Sequence, residues 1–326
     1  GAYKNIKDTS LTAQFKIQKN EKSQNIIGDN DCYFLAWTTT PWTLPANNGL
    51  AVGEKITYNL IETFNKYTEK KINVIIAEKC IEKFFDSNNL KISEELIFDK
   101  QNLPYKILKS FQGKDIVGFD YDQLLPYVKA EKPAFTVVSG NFVTTEEGTG
   151  IVHISLTFGS DDFHVSKKNN LPGIFVKNDK NEDVPIVDRS GKFVDEIIDF
   201  AGLQVKLFSD EEGLTTDEKI AIKLKKENKA FDVKKYEHSY PHCWRTDKPI
   251  LYYPLESWFI NSTKLKDELI KKNKEINWQP ESTGSGRFGN WLENLVDWNL
   301  SRSRFWGTPL PIWRTKDGKD EVCIGS

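Results

Sequence analysis

Apolar and polar positions alternate from Leu11 to Ile17 (Leu-Thr-Ala-Gln-Phe-Lys-Ile), and residues 31–39 form a run rich in β-formers, so the chain is expected to open with strands. Similar short runs at 56–61, 74–77, 135–139 and 151–154 extend the strand pattern. Cys80, Ile81, Phe84 and Phe85 fall on one helical face that Asn88-Asn89 would end. A second helix is expected between Thr215 and Asn228, where Thr215-Thr216-Asp217-Glu218 has the form of a capping box and Ile220, Ala221 and Leu224 follow as an apolar face.

Strands dominate up to about residue 200, helices intervene irregularly, and no βαβ alternation with a glycine fingerprint occurs. The fold class implied is α+β, a β-barrel-like core decorated with helices. Residues 1–235 are expected to form this domain. From about Tyr236 the chain turns rich in proline and tryptophan (Trp244, Trp258, Trp278, Trp291, Trp298, Trp306, Trp313), so 236–326 reads as a smaller unit that packs on something else.

Composition narrows the class. A hydrophobic share of 38% supplies a core and 28% charged residues a wet surface. No apolar run reaches the roughly 18 residues of a membrane span, and no cleavable leader pattern is present, so a cytoplasmic location without membrane contact is expected. Four scattered cysteines and four histidines form no metal-ligand spacing, so the thiols are expected to be reduced and no metal is expected. The net charge of −2 argues against bulk electrostatic binding of nucleic acid. RNA contacts would be local, and the lysines at 223–235 and 264–274 are better read as solvated helix faces. The chain has no methionine and begins Gly-Ala-Tyr, which reads as a piece of a longer protein.

Four strings carry candidate chemistry. Trp37-Thr38-Thr39-Thr40-Pro41-Trp42-Thr43-Leu44-Pro45-Ala46-Asn47 is a hydroxyl-rich turn braced by tryptophans and prolines; fixed hydroxyls and amides can orient a water, hold a ribose or donate to an oxyanion, and the turn is equally well a structural cap before a helix. Glu147-Gly148-Thr149-Gly150-Ile151-Val152-His153 leads a short strand to a histidine, and Asp161-Asp162 then opens a helix. Either aspartate would serve as an N-cap or would hold an ammonium group. His238-Ser239-Tyr240-Pro241-His242-Cys243-Trp244-Arg245 reads as structural, and Arg302 and Arg304 lie among aromatics, suited to phosphate, a base or a carboxylate.

Together these strings resemble the isoleucyl-tRNA synthetases. The threonine-rich string looks like that family's editing motif, Gly-Thr-Gly-Ile-Val-His with the downstream Gly159-Ser160-Asp161-Asp162 looks like its partner, and the last two look like the return toward the aminoacylation core. Gly113-Lys114-Asp115-Ile116-Val117-Gly118 also fits. A lysine usually replaces His153 in the valyl enzymes, and the runs Arg287 to Leu292 and Val322 to Ser326 look like the eukaryotic-type branch. One departure stands out: Ser155-Leu156-Thr157 replaces the usual Ala-Pro-Gly or a close variant after the histidine.

The resemblance implies an editing site. One methylene separates isoleucine from valine and is worth about 1–3 kcal/mol, a limit for which isoleucyl-tRNA synthetases are themselves the standard illustration and which calls for a second, hydrolytic sieve. By the resemblance, Asp162 would anchor the substrate ammonium and His153 would bound the side chain. Thr39 with Trp37, Thr38, Thr40, Thr43 and Asn47 would hold the terminal adenosine and place the attacking water. The partner implied is isoleucine tRNA whose 3′ adenosine carries valine, together with the rest of the synthetase chain, the piece itself being monomeric. No cofactor is implied for editing, ATP and magnesium belonging to an aminoacylation core whose signatures do not occur in this sequence. A valyl-type editing domain clearing threonine and a non-hydrolytic module holding the tRNA 3′ end are the competing readings.

Overall fold

The computed structural model describes residues 2–28, 30–92, 95–131, 133–206, 213–302, 307 and 309–325. The chain forms two compact units, 1–254 and 255–326. In the first unit, in chain order, come β1 (Tyr3–Lys16), α1 (Glu21–Ile27), β2 (Cys32–Thr38), β3 (Gly49–Val52), β4 (Thr57–Phe64), β5 (Lys71–Ala77), β6 (Lys106–Gln112), β7 (Thr136–Ser139), β8 (Ile151–Ile154), α2 (Ser160–Lys168), β9 (Phe175–Lys177), β10 (Asp183–Pro185), α3 (Thr216–Lys226) and β11 (Ala230–Pro241). β11 runs without a break through position 235, and the unit continues to Pro254.

The α+β class expected from the sequence is what the structure has, and the route by which the sheet curls is visible in its pairing. β2 has β1 along one edge, while β5 (from Cys32) and β8 (at Trp37) share the other. β8 pairs with β3, and β3 with β7. The circuit then closes through 119–122: Val137 N–H donates to Phe119 O, Tyr121 N–H to Phe135 O, and Asp122 N–H to Lys16 O at the end of β1. Closure in this way leaves β2, β1, 119–122, β7, β3 and β8 around a shared interior that holds Phe15, Phe34, Leu50 and Tyr121, each fully buried, at roughly 1.5–3 kcal/mol per large apolar side chain.

Alternation in β1 implies one wet face, yet residues 9–15 are all buried because β1 lies between β2 and β11. Gln14 donates to Asn228 O at 2.9 Å and accepts from Asn65 Nδ2 at 2.6 Å, and Ser10 Oγ donates to Lys234 O at 3.2 Å, while the Thr12 hydroxyl has no partner among the described residues. The capped helix appears as α3, with Thr215 and Glu218 exchanging capping bonds. Two expectations are corrected. The apolar stripe at 80–85 forms a 3-10 turn, Glu78–Lys83, and a shorter one, Ser87–Asn89, rather than an α-helix. The threonine-rich turn runs into a 3-10 helix, Pro41–Ala46, and then a strand, β3, with no α-helix after it. Among the described residues no helix is long and apolar enough to cross a membrane.

The second unit holds β12 (Phe259–Ile260), α4 (Lys266–Glu275), α5 (Ser282–Ser285), α6 (Arg287–Glu293), β13 (Trp298–Asn299), β14 (Ile312–Arg314) and β15 (Glu321–Cys323). Its centre is Trp278, whose indole N–H donates to Asn273 Oδ1 at 3.0 Å while Asn273 Nδ2 donates to Gly284 O at 2.9 Å. Trp291, Trp298 and Trp313 stay exposed. Arg302 donates to Asn299 O and Ser301 O; Arg304 and Trp306 lie outside the described residues.

Candidate functional site

The threonine-rich string leaves the sheet where β2 ends and turns through a 3-10 helix, Pro41–Ala46, before β3. Residues 41–52 are all buried. A short helix begins with backbone N–H groups that lack an internal partner. Pro41 has no N–H to satisfy, and Thr40 makes no side-chain cap. The Trp42 N–H is satisfied from 175 residues downstream, by Asp217 Oδ1 at 2.8 Å.

The hydroxyls divide sharply. Thr38 and Thr40 lie 3.2 Å apart through their Oγ1 atoms, and Thr38 Oγ1 accepts from Thr40 N–H. Thr43 Oγ1 donates to Thr40 O at 2.9 Å. Thr39, half-buried, has no partner for its hydroxyl among the described residues, which makes it the hydroxyl of the four left for a ligand.

The Gly-Thr-Gly preceding β8 is explained by close approach. Gly148 has φ of +63° with the Trp37 ring 3.1 Å from where a Cβ would stand, and Gly150 has φ of +75° with Ala77 Cβ at 2.4 Å. Trp37 is further held edge-on by Tyr236 at 5.1 Å. The parallel pairing of Trp37 with Val152 sends the residues after each out of the same end of the sheet, so Thr39 and His153 share that end.

His153 is buried and both ring nitrogens are engaged, Nδ1 with Asn47 Nδ2 at 2.7 Å and Nε2 with Thr43 Oγ1 at 3.0 Å. Asn47 presents N–H, so Nδ1 accepts. The Thr43 proton goes to Thr40 O, so Nε2 carries the hydrogen and donates to Thr43. The ring is therefore the neutral Nε2–H tautomer, and burial pushes its pKa down to about 4. With Nδ1 accepting from Asn47 and Nε2 donating to Thr43, the ring has no unengaged nitrogen.

Asn47 was expected to meet the adenosine, and the geometry corrects this. It is 1% exposed, its Nδ2 reaches Gly49 O, His153 Nδ1 and Ile154 O, and its Oδ1 accepts from Tyr121 OH at 2.7 Å. With donors and acceptor committed inside the protein, it orients His153 rather than facing a ligand. Tyr121 was missed by the sequence reading; it follows the Gly113 to Gly118 string by three residues and sits in the segment that closes the barrel.

Asp162 lies in the first turn of α2, whose N-cap is Gly159, so neither aspartate is the cap. One carboxylate oxygen accepts from Ser155 N–H at 3.0 Å; the other has no partner among the described residues. Burial, helped by nearby Asp161 and opposed by the Ser155 N–H, pushes its pKa up to about 6. A Cβ at Gly159 would stand 2.9 Å from the Asp162 carboxylate, which accounts for the glycine in Gly-x-x-Asp. The loop is fastened to the turn by the Trp42 ring against Phe158 at 5.0 Å, and α2 by Asn48 Nδ2 donating to Ser166 Oγ at 3.1 Å. Thr39, Asp162 and His153 thus converge on one end of the sheet, with a free hydroxyl, a carboxylate with capacity for an ammonium group, and a neutral ring.

Of the lysines at 223–235, Lys223 pairs with Asp199 and Glu227, Lys229 with Glu227, Lys234 with Asp232 and Lys235 with Glu218; of those at 264–274, Lys272 pairs with Glu275. In the third string, His238 Nε2 meets Asp8 at 2.9 Å and His242 Nδ1 meets Tyr240 O at 2.9 Å.

The chain is similar over its whole length to curated isoleucine–tRNA ligases. The isoleucine–tRNA ligase of Cytophaga hutchinsonii is 57% identical over 341 residues, covering 100% of this chain and 30% of the relative. That of Porphyromonas gingivalis is 47% identical over 348 residues, with 100% and 30% covered, and that of Clostridium tetani is 38% identical over 324 residues, with 99% and 26% covered. The chain thus spans about 30% of the length of the first of these curated relatives. Among solved structures, the cytosolic leucyl-tRNA synthetase editing domain of P. knowlesi is 15% identical and covers 51% of this chain and 66% of that one at a TM-score of 0.37, too slight a likeness to bear on the fold. The family model described as tRNA synthetases class I (I, L, M and V) matches residues 4–326, and the chain belongs to that family.

Proposed function

We propose that the first unit is the editing site of an isoleucyl-tRNA synthetase and hydrolyses the ester of valine mischarged onto isoleucine tRNA. The observation that carries the reading is Asp162: a half-buried carboxylate fixed through one oxygen and open at the other, beside a turn whose only unengaged threonine hydroxyl is Thr39. The open oxygen would take the α-ammonium by a charge-assisted hydrogen bond, setting the ester carbonyl against the threonine turn. Water adds to that carbonyl, the C–O bond to the ribose breaks, and the ribose oxygen leaves with a proton, giving free valine and an uncharged 3′ end. An aminoacyl ester is already activated, so positioning and modest oxyanion stabilisation suffice and no covalent intermediate is needed.

His153 would act by volume. Held by Thr43 and Asn47, the ring cannot retreat, so it would admit valine and stop isoleucine. The names of the relatives favour isoleucine over the valyl-type alternative. The test is single-turnover deacylation of valyl- and isoleucyl-charged isoleucine tRNA by the full-length synthetase. Cleavage of the valyl ester alone, lost in Asp162→Ala, is the expected outcome. Tight binding of the 3′ end without cleavage would instead make this a binding module, and preference for a threonyl ester on valine tRNA would make it a valyl-type site.

A further inference from the structure

The third string, around His238, has no part in the function proposed above, yet its side chains lead into the site. His238 Nε2 meets Asp8 of β1, and Lys206 also donates to Asp8 while its ammonium lies 4.6 Å from the centre of the Tyr240 ring. Asp217 adjoins this group: it is 4% exposed, at the second position of α3, and its Oδ1 takes the Trp42 N–H that begins the threonine-rich turn. Burial pushes its pKa up to about 7; Lys206, the Trp42 N–H and Lys235 favour its ionised form, and Asp8 opposes it. A carboxyl group so deeply buried is costly to keep unless it performs a task in the fold, and among the described residues the one hydrogen bond it makes is to the turn.

We propose that Asp217 is a positioning residue for the editing site: it caps the threonine-rich turn from a distant helix and, backed by Lys206, Asp8 and His238, sets where the Thr39 hydroxyl stands. The inference rests on the editing reading for its activity arm only. Three features are on its side. The turn has no cap of its own, since Thr40 makes none. The bond spans 175 residues, so it ties α3 to the turn and does not merely satisfy a local group. And α3 is independently anchored by its own capping box and by Ile220 and Leu224, both fully buried, so it is a rigid support.

The experiment uses the full-length synthetase with Asp217→Ala and Asp217→Asn. The amide of Asp217→Asn still presents a carbonyl oxygen to Trp42 N–H; the alanine presents nothing. For Asp217→Ala, kcat for valyl-ester deacylation should fall by about 10- to 100-fold with KM changed far less, the pattern of a misplaced site and not of lost binding. Asp217→Asn should recover most of that loss, and aminoacylation of isoleucine by both variants should stay at the wild-type rate, which certifies folding. Independently of any activity, hydrogen exchange in the peptide containing Trp42 should speed up in Asp217→Ala and stay near wild type in Asp217→Asn. Wild-type deacylation kinetics in Asp217→Ala, equal damage by both variants, or unchanged exchange at Trp42 would each overturn the proposal. If the wild-type enzyme itself left valyl-tRNA uncleaved while the exchange result held, the editing reading would fail and the brace would stand.

Discussion

The turn after β2 and the loop after β8 leave the same end of the sheet but are built in opposite ways. Residues 41–52 are buried throughout, and their polar groups are nearly all matched: Trp42 N–H, Thr43 Oγ1 and both ends of the Asn47 amide have partners. The loop at 155–159 has Ser155 and Thr157 buried with hydroxyls that find no protein partner, and the aspartate it leads to makes one hydrogen bond. Four of the five such unpaired buried atoms among the described residues lie on these two segments, on Trp42, Asn48, Ser155 and Thr157, the fifth being Thr12. The lesson is a division of labour: a twelve-residue turn with two such atoms fixes geometry, and a five-residue loop with as many leads to a carboxylate that keeps one oxygen unbonded among the described residues.

The comparison breaks most visibly at Asp162. Asp162→Ala should reduce valyl-ester deacylation about 100-fold, the value of a charge-assisted anchor, with little change in melting temperature. The wild-type kcat/KM should also fall on the acid side through about pH 6, because the ammonium is held by the ionised carboxylate. For stability the sign reverses. Its folded pKa is raised, so the folded state holds that proton more tightly than the unfolded chain, and the stability this gives is full below the ordinary carboxylate range and lost as pH rises through about 6. A pH profile of Asp162→Ala lacking both features would support the assignment; an unaltered acid limb would sink it.

The saturated side should respond in stability. Asn47→Ala leaves Tyr121 OH without its acceptor and His153 Nδ1 without its donor, both deep in the barrel, and should cost about 2–4 kcal/mol, read as a lower denaturant midpoint with an unchanged slope. A loss under about 0.5 kcal/mol would mean that the turn is held by packing alone.

How much of this was legible in the sequence follows the range of each interaction. β2, β8 and α3 were readable because alternation, β-rich runs and capping boxes are local signals. Thr39, His153 and Asp162 are singled out by the strings that contain them, and the structure brings the three to one end of the sheet. The stripe at 80–85 was misread because Cys80, Ile81, Phe84 and Phe85 suit a 3-10 turn as well as an α-helix. The bonds of Asn47 to Tyr121 and of Asp217 to Trp42 are not legible for one reason: they span 74 and 175 residues, and no local pattern reports what a barrel closure brings together.

A milder change is Gly159→Ala. The backbone there is extended, so alanine is not strained, but its Cβ would press on the Asp162 carboxylate from 2.9 Å and turn it. Deacylation should drop about 10-fold while stability is nearly unchanged, which separates misplacing the anchor from deleting it.

The smallest effect tests the loop's unmatched hydroxyls. Ser155 is 1% exposed and Thr157 is 4% exposed, and removing a buried hydroxyl that lacks a partner recovers its desolvation cost. Ser155→Ala keeps the backbone N–H that Asp162 accepts from, so the anchor survives the change. It should therefore leave stability unchanged or raise it by about 1 kcal/mol, with deacylation within about two-fold of wild type. Thermal melts and single-turnover rates on the same preparation decide it. A loss of more than about 1 kcal/mol would mean that the hydroxyl is bonded in solution and that the loop is as well satisfied as the turn. In that event the contrast between the two segments would rest on Asp162 alone.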